Sequence, residues 1–412
     1  MDRRDTILGN FHETQRLSGA NWLSPEALKA AAARYGLSGA AVKGVASYYS
    51  MLSLKPRGRT LVRLCASPVC RMAGSLDLLP VAAEATGAEP GGSSADGAFS
   101  LETVQCLGRC AGAPAMMVGE TVYGRLDPDR VRAVIAAARA KDAGGSVGAS
   151  SASRELEQAA YAAHIGPGAA PCAGEPCTPA PAPGDVADAP GAAPRVALRY
   201  PRLADPVSAR EYERAGGYAA LKKALASPPE ELVSEFTRAK VRGRGGAGFP
   251  TGLKERAAAG SACSDEPGCE RFVVCNADEG EPGTFKDRII MERSPQLVIE
   301  GMIISAYAVG ARRGFIYLRG EYYLAIERMK AAIGSAYGAG YLGSRILGTD
   351  FSFDLDVRVG AGSYLCGEEL TLIESLEGKR GYPRIKPPFP AEAGLWGKPT
   401  LVNNVETLAA LP

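Results

Sequence analysis

Four cysteines carry the clearest chemistry in the chain. Cys65 and Cys70 enclose four residues, Cys106 and Cys110 enclose three, and thirty-five residues separate the two pairs. Two close pairs of thiolates on separate loops can hold the two irons of a [2Fe-2S] cluster, one pair to each iron. A structural zinc site uses similar pairs, and two disulfides or ordinary buried thiols are further readings of the same residues. A disulfide framework suits small secreted domains, and no apolar signal sequence opens this chain. The apolar run Thr60-Leu-Val-Arg-Leu64 predicts a buried strand, with Pro68 marking its end. Both pairs are then expected on loops, the second bent at Gly108.

A second group of residues points to a phosphate-bearing ligand. Val241-Arg-Gly-Arg-Gly-Gly-Ala-Gly-Phe-Pro-Thr-Gly-Leu-Lys254 crowds Gly243, Gly245, Gly246, Gly248 and Gly252 into ten positions. Without side chains in the way, successive amides can turn toward a phosphate, and a following helix N-terminus adds favourable charge. The run lacks the Gly-x-x-x-x-Gly-Lys-Ser/Thr pattern of a nucleotide P-loop, so alone it also reads as a flexible turn. After a predicted strand at Arg271-Phe-Val-Val-Cys275 comes Asn276-Ala-Asp-Glu-Gly-Glu-Pro-Gly283. That sets an amide and three carboxylates at the carboxyl end of a strand, where open parallel sheets bind ligands. Asp278, Glu279 and Glu281 are acceptors suited to ribityl and ribose hydroxyls; by itself the segment also fits a solvated acidic turn. Two more unusual stretches follow: Gly360-Ala-Gly-Ser-Tyr-Leu-Cys-Gly-Glu-Glu369, and Arg384-Ile-Lys-Pro-Pro-Phe-Pro390 with Leu401-Val-Asn-Asn-Val-Glu-Thr407.

The elements that position these residues need more than one core. At 412 residues the chain exceeds the size at which a single core stops growing. Residues 1–140 are expected to form one domain and 196–412 a second. Between them, 141–195 turns to Ala, Gly, Pro and Ser, including Pro179-Ala-Pro-Ala-Pro-Gly184, and reads as a linker with at most a helix at 153–163. The 47 basic and 45 acidic residues leave a net charge of +2, which gives no electrostatic case for nucleic acid. No uncharged apolar run reaches about 18 residues, so no membrane insertion is expected. The thiols and the absent leader favour the cytoplasm. Cys172, Cys177, Cys263 and Cys269 are expected to be exposed thiols without a cofactor role, and Cys275 and Cys366 to pack as small hydrophobes. His12 and His164 have no partner in any motif.

Val45-Ala-Ser-Tyr-Tyr-Ser-Met51, the first cysteine pair, Val104-Gln-Cys-Leu-Gly-Arg-Cys-Ala-Gly-Ala-Pro-Ala115 and Val122-Tyr-Gly-Arg-Leu126 resemble the thioredoxin-like [2Fe-2S] subunit of respiratory complex I, over roughly residues 7–138. From about Tyr200 onward, the glycine-rich run and the three later stretches resemble the FMN- and NADH-binding flavoprotein subunit of complex I. The same likeness extends to its relatives in NAD-dependent formate dehydrogenases and NAD-reducing or bifurcating hydrogenases. The implied fold is α/β: a helical segment at 24–49, a thioredoxin-like [2Fe-2S] domain, the linker, then an α/β FMN/NADH-binding domain.

The resemblance implies that Cys65, Cys70, Cys106 and Cys110 hold the [2Fe-2S] cluster. It implies that Gly243, Arg244, Gly245, Gly246 and Lys254 line the flavin and nucleotide pocket, and that Asn276, Asp278, Glu279, Asn403, Asn404 and Thr407 complete the FMN site. For NADH it points to Phe249 and Phe389 as stacking faces with Lys386 nearby. It sets Glu281, Tyr364, Gly367, Glu368 and Glu369 beside nicotinamide and ribose, with Glu281 and Lys254 serving catalysis. The implied activity is that of an NADH:acceptor oxidoreductase: hydride passes from NADH to FMN, then single electrons pass to clusters and to partner iron-sulfur subunits. The alternative is a non-catalytic [2Fe-2S] carrier or assembly subunit with an impaired flavin domain.

Two departures from the family stand out. Where a second aromatic often follows the lysine, this chain reads Lys254-Glu-Arg-Ala257. No cysteine spacing supplies the [4Fe-4S] site that relatives carry further along, so the chain is expected to be a truncated product whose [2Fe-2S] centre is accessory. Fusion of two normally separate subunits through the linker leans toward the hydrogenase and formate dehydrogenase relatives.

Overall fold

The structure is a computed structural model that describes residues 4–142, 203–261 and 270–412. The expected helix at 153–163, His164, Cys172, Cys177, Cys263, Cys269 and nearly all of the linker lie outside the described residues.

Three helices begin the described chain: α1 (Ile7–Leu17), α2 (Pro25–Tyr35) and α3 (Gly39–Tyr48). Their boundaries follow from capping chemistry. The Ser24 side chain accepts from the Ala27 amide with Pro25 in the first turn, Gly36 ends α2 in the left-handed region, and Ser38 accepts from the Ala41 amide to start α3. The segment 24–49 is therefore two helices joined by a short turn, and α1 is a third.

The first sheet has strand order β2-β1-β3-β4, built from β1 (Thr60–Cys65), β2 (Phe99–Val104), β3 (Met116–Val118) and β4 (Thr121–Tyr123). β1 runs parallel to β2 and antiparallel to β3. Val62, Leu64, Phe99, Leu101 and Met116 pack with Val131, Val134 and Ile135 of the helix Pro128–Asp142. Pro68 does more than end the strand: it takes the first turn of a short helix, Pro68–Met72, so Cys70 sits on a helix and not on the expected loop.

The second sheet is fully parallel, with order β7-β6-β5-β8, from β5 (Phe272–Ala277), β6 (Arg313–Leu318), β7 (Asp354–Val359) and β8 (Thr400–Asn404). The chain builds outward from β5 through β6 to β7, then crosses back to lay β8 on the other side of β5. That reversal makes β5/β8 the switch point, where a crevice opens at the carboxyl ends of the strands. Both faces are covered, as a parallel sheet requires. Val273, Cys275, Ala277, Ile316 and Leu318 face a core that includes the helix Pro295–Val309.

The opposite face, with Phe272, Val274, Phe315 and Tyr317, is covered by α1–α3 through Ile7, Leu8, Phe11, Val42, Val45 and Tyr49. Ile7, Leu8 and Phe11 alone contribute roughly 5–9 kcal/mol of gross burial. The amino-terminal helices are thus part of the core of the second sheet.

Candidate redox site

The four cysteines converge at the top of the first sheet. Cys65 ends β1, Cys70 lies one turn into the following helix, and Cys106 and Cys110 flank the turn at Gly108, whose φ is 66°. The Cys65 thiol is within hydrogen-bonding contact of both Cys70 and Cys106, and Cys106 Sγ lies 3.3 Å from Cys110 Sγ. No disulfide joins them; the six described cysteines are free thiols. Contacts run as a chain from Cys70 through Cys65 and Cys106 to Cys110. Thiols strung in this way, with the Gly108 amide donating to Cys106 Sγ at 3.3 Å, fit a two-iron cluster.

The cluster loop is gripped by the second domain. The Gly283 amide donates to Cys110 Sγ at 3.3 Å, so the acidic motif after β5 touches the second cysteine pair directly. Arg288 Nε donates to the Gly108 carbonyl at 3.0 Å, and Arg319 donates to the carbonyls of Cys106 and Glu279. Arg109 pairs with Glu292 at 3.5 Å, and Glu292 also receives Arg288 at 2.8 Å. The Tyr322 ring packs so closely on Gly108 that an added Cβ would lie 2.3 Å from its hydroxyl. Gly283 and Glu279 belong to the acidic motif, whereas Arg288, Glu292, Arg319 and Tyr322 stood in no sequence motif. Arg319 alone had a positional cue, following the carboxyl end of β6 directly.

The second group of residues assembles at the carboxyl ends of the parallel strands. The glycine-rich run closes on itself, the Gly243 amide donating to the Phe249 carbonyl at 2.8 Å, and stays exposed. Its Arg244 amide donates to Thr407 Oγ1 at 2.8 Å, and Gly245 comes within 3.4 Å of the Asn404 side chain, measured from an added Cβ. Gly246 has φ 114° and open space where a Cβ would stand. The helix that follows, Thr251–Gly260, begins without a side-chain cap; its Thr251 amide donates to the Val241 carbonyl at 2.9 Å, and the Leu253 and Lys254 amides donate to the Pro250 carbonyl. The exposed backbone at Gly245 and Gly246 fits the phosphate end of a flavin nucleotide.

Around this cradle the polar residues form one network. Lys254 Nζ donates to Glu369 at 2.9 Å and to the Val402 carbonyl at 2.8 Å. Lys386 reaches Glu369 at 2.9 Å and Glu368 at 3.1 Å. The other oxygen of Glu368 caps the helix Glu369–Leu376, accepting from the Leu370 and Thr371 amides. Asn276 donates to the Gly367 carbonyl at 2.8 Å. The Tyr364 hydroxyl donates to Glu281 at 2.5 Å, and that carboxylate raises the Tyr364 phenol above its usual range. Phe249, Tyr364 and Phe389 remain about half exposed or more, with ring faces open to solvent. Burial pushes the Asp278 carboxyl up to about 7.

Three residues named from the sequence make contacts that the sequence did not announce. Glu279 is 6% exposed, and its carboxylate accepts from the Asp287 and Arg288 amides at 2.9 and 3.1 Å and from Tyr322. It is committed to the start of the helix Lys286–Arg293 and to the cluster-side contact, because an unpaired buried carboxylate is costly. Burial and the Asp287 carboxylate raise its pKa. Asn403 is 5% exposed and donates to the buried Glu255 at 3.3 Å, and its Oδ1 makes no hydrogen bond with the described residues. His12 has a motif partner after all: its Nε2 meets the Gly360 carbonyl at 3.0 Å. There it helps α1 hold the 360–362 loop, which also pairs with the Ser50 and Met51 amides. Cys275 and Cys366 are buried, as packing residues should be.

Residues 2–139 match the family model described as thioredoxin-like [2Fe-2S] ferredoxin, and residues 236–412 match the Nuo51 FMN-binding domain. An NADH-quinone oxidoreductase subunit of Aquifex aeolicus is 56% identical over 202 residues, 49% of this chain and 46% of that protein. The NAD-reducing hydrogenase HoxS subunit alpha of Cupriavidus necator is 38% identical over 373 residues, 90% of this chain and 55% of that protein. The crystal structure of an NAD+-reducing [NiFe]-hydrogenase in the H2-reduced state superposes with a TM-score of 0.75 at 29% identity, covering 100% of this chain and 61% of that one. The chain spans about half the length of the curated relatives it matches. No helix among the described residues is long and apolar enough to cross a membrane.

Proposed function

The chain fuses a thioredoxin-like [2Fe-2S] ferredoxin domain to a Nuo51 FMN-binding domain, and from that premise we propose that it is the NADH-oxidising diaphorase module of a larger oxidoreductase. When bound, FMN supplies hydride acceptance from NADH and single-electron release, and the [2Fe-2S] cluster supplies a one-electron acceptor. Gly243, Arg244, Gly245, Gly246, Asn276, Asp278, Asn403, Asn404 and Thr407 would hold FMN, with Glu279 fixing the loop between flavin and cluster. Phe249 and Phe389 offer ring faces to adenine, with Lys386 beside them. Glu281, Tyr364, Gly367, Glu368 and Glu369 would orient nicotinamide and ribose. Lys254, pinned by Glu369 and the Val402 carbonyl, is a fixed positive charge at the flavin pocket. Cys65, Cys70, Cys106 and Cys110 would hold the cluster.

The observation that carries the proposal is the bond from the Gly283 amide to Cys110 Sγ, which puts a cluster ligand against the motif assigned to the nucleotide site. A carrier with an idle flavin domain gives no reason for that contact or for the continuous network from Lys254 to Lys386. The division into 1–140, whose amino-terminal helices pack on the second sheet, 141–195 and 196–412, partner iron-sulfur subunits of hydrogenase, formate dehydrogenase or complex I type, and a cytoplasmic setting complete the reading. Its test is anaerobic: after FMN loading, NADH should bleach the flavin absorbance band. A flavin-loaded protein that NADH leaves unbleached overturns it.

A further inference from the structure

Glu255 directly follows Lys254, in the segment where the chain departs from the aromatic pattern of its relatives. It lies on the buried stripe of its helix with Thr251, Gly252 and Ala258, and is 0% exposed. Its Oε1 accepts from Ser305 Oγ at 2.9 Å and from Asn403 Nδ2 at 3.3 Å, while its Oε2 is buried without a partner. The groups that bear on its charge are Ser305 from the packed helix Pro295–Val309, Asn403 from β8 and Lys254 on its own helix. The Lys254 ammonium is spent on Glu369 and the Val402 carbonyl. A carboxylate enclosed in this way, with an unpaired oxygen and no dedicated cation, is costly; a neutral carboxyl is far less so.

The bond to Oε1 turns the Asn403 Nδ2 toward Glu255 and leaves Oδ1 on the other branch of the amide. Oδ1 makes no hydrogen bond with the described residues, and it is an acceptor for a ligand N–H.

We propose that Glu255 is a positioning residue for the flavin pocket: as a neutral acid it fixes the Asn403 amide, and binding of the anionic flavin nucleotide keeps it protonated. The proposal rests on the FMN reading above. Burial holds the Glu255 carboxyl up at about 8, so the coupling falls within an accessible pH range. Above that pH the pocket must take up a proton as FMN binds, and affinity falls by up to about tenfold per pH unit.

The test is a titration of FMN onto apoprotein from pH 6 to 9.5, read by quenching of flavin fluorescence. In parallel, infrared spectra of the apoprotein follow the stretch of a protonated carboxyl. Wild type should hold FMN with constant affinity to about pH 8 and weaken beyond it. Glu255→Gln, which mimics the neutral acid, should bind with wild-type affinity at pH 7, lose the pH dependence and lose the carboxyl band that titrates near 8. Glu255→Leu, uncharged but unable to accept from Asn403, should bind FMN at least tenfold more weakly at every pH. The same pH dependence in wild type and Glu255→Gln overturns the proton coupling. Unchanged affinity in Glu255→Leu overturns the positioning role. If the carboxyl band is present but wild type binds no FMN, the flavin reading itself fails and this coupling with it.

Discussion

Gly108→Ala is the sharpest probe of the contact between the two domains. Gly108 belongs to the cluster loop and has φ 66°, a region in which an alanine costs about 1–2 kcal/mol. The added Cβ would also lie 2.3 Å from the Tyr322 hydroxyl and 2.5 Å from its ring edge. Tyr322 is 3% exposed and its hydroxyl donates to the Glu279 backbone at 3.2 Å and carboxylate at 3.3 Å, so it has no room to yield. Overpacking of this kind costs about 1–3 kcal/mol. The combined cost of about 2–5 kcal/mol falls on the docking of the cluster loop against the flavin domain. At about 1.4 kcal/mol per tenfold, the equilibrium constant for docking should fall by roughly 30-fold or more. In stopped flow with NADH, flavin bleaching should stay near the wild-type rate while cluster reduction slows by at least tenfold, with cluster content confirmed by its visible spectrum. Gly108→Ala/Tyr322→Ala should recover the overlap cost but not the backbone cost. Wild-type cluster reduction in the single variant would refute the claim that this contact couples the two sites.

Glu281→Gln removes the charge that receives the Tyr364 hydroxyl, and should weaken NADH-dependent flavin reduction while sparing the cluster signal; an unchanged rate removes Glu281 from the site. Glu300→Ala should lower thermal stability by roughly 3 kcal/mol or more, since the 1% exposed carboxylate accepts from Tyr212, Tyr218 and Leu221 and its loss leaves buried donors unpaired. Calorimetry that finds a change below 1 kcal/mol would contradict that role. The raised Glu255 carboxyl makes the folded state hold a proton that the unfolded chain releases near 4.5. Stability therefore falls by about 1.4 kcal/mol per pH unit between 4.5 and about 8 and is flat above that. Glu255→Gln should remove this slope in denaturant titrations, and a variant that keeps it would show that Glu255 titrates normally.

Motif chemistry was legible in the sequence because it is local. The cysteine pairs, the glycine run and the acids after β5 each sit within a few residues of one another, and the alternating burial of Phe272 and Val274 against Val273 and Cys275 follows from strand periodicity. What was hidden depends on long-range packing. The amphipathic helices α1–α3 carry no sign of which surface they cover, and they cover the second sheet. The resemblance implied Glu279 as an FMN residue; its carboxylate also caps a helix that begins seven residues further on, a spacing no capping pattern announces. Arg288, Arg319 and Tyr322 grip the cluster loop from far along the chain, and the near-neutral charge gave no hint of them. Glu255 drew no reading from the sequence, although its spacing from Thr251 and Ala258 sets it on the buried stripe.

The most direct test of the account is rapid-freeze paramagnetic resonance of the FMN-loaded, cluster-containing protein mixed anaerobically with NADH. The account predicts that the signal of the reduced [2Fe-2S] cluster grows after the flavin band bleaches and is lost in Cys106→Ala. A flavin that bleaches fully while the cluster stays oxidised, under a reductant strong enough to reduce it chemically, would contradict the claim that the contact at Gly283 and Cys110 joins the two centres into one electron path.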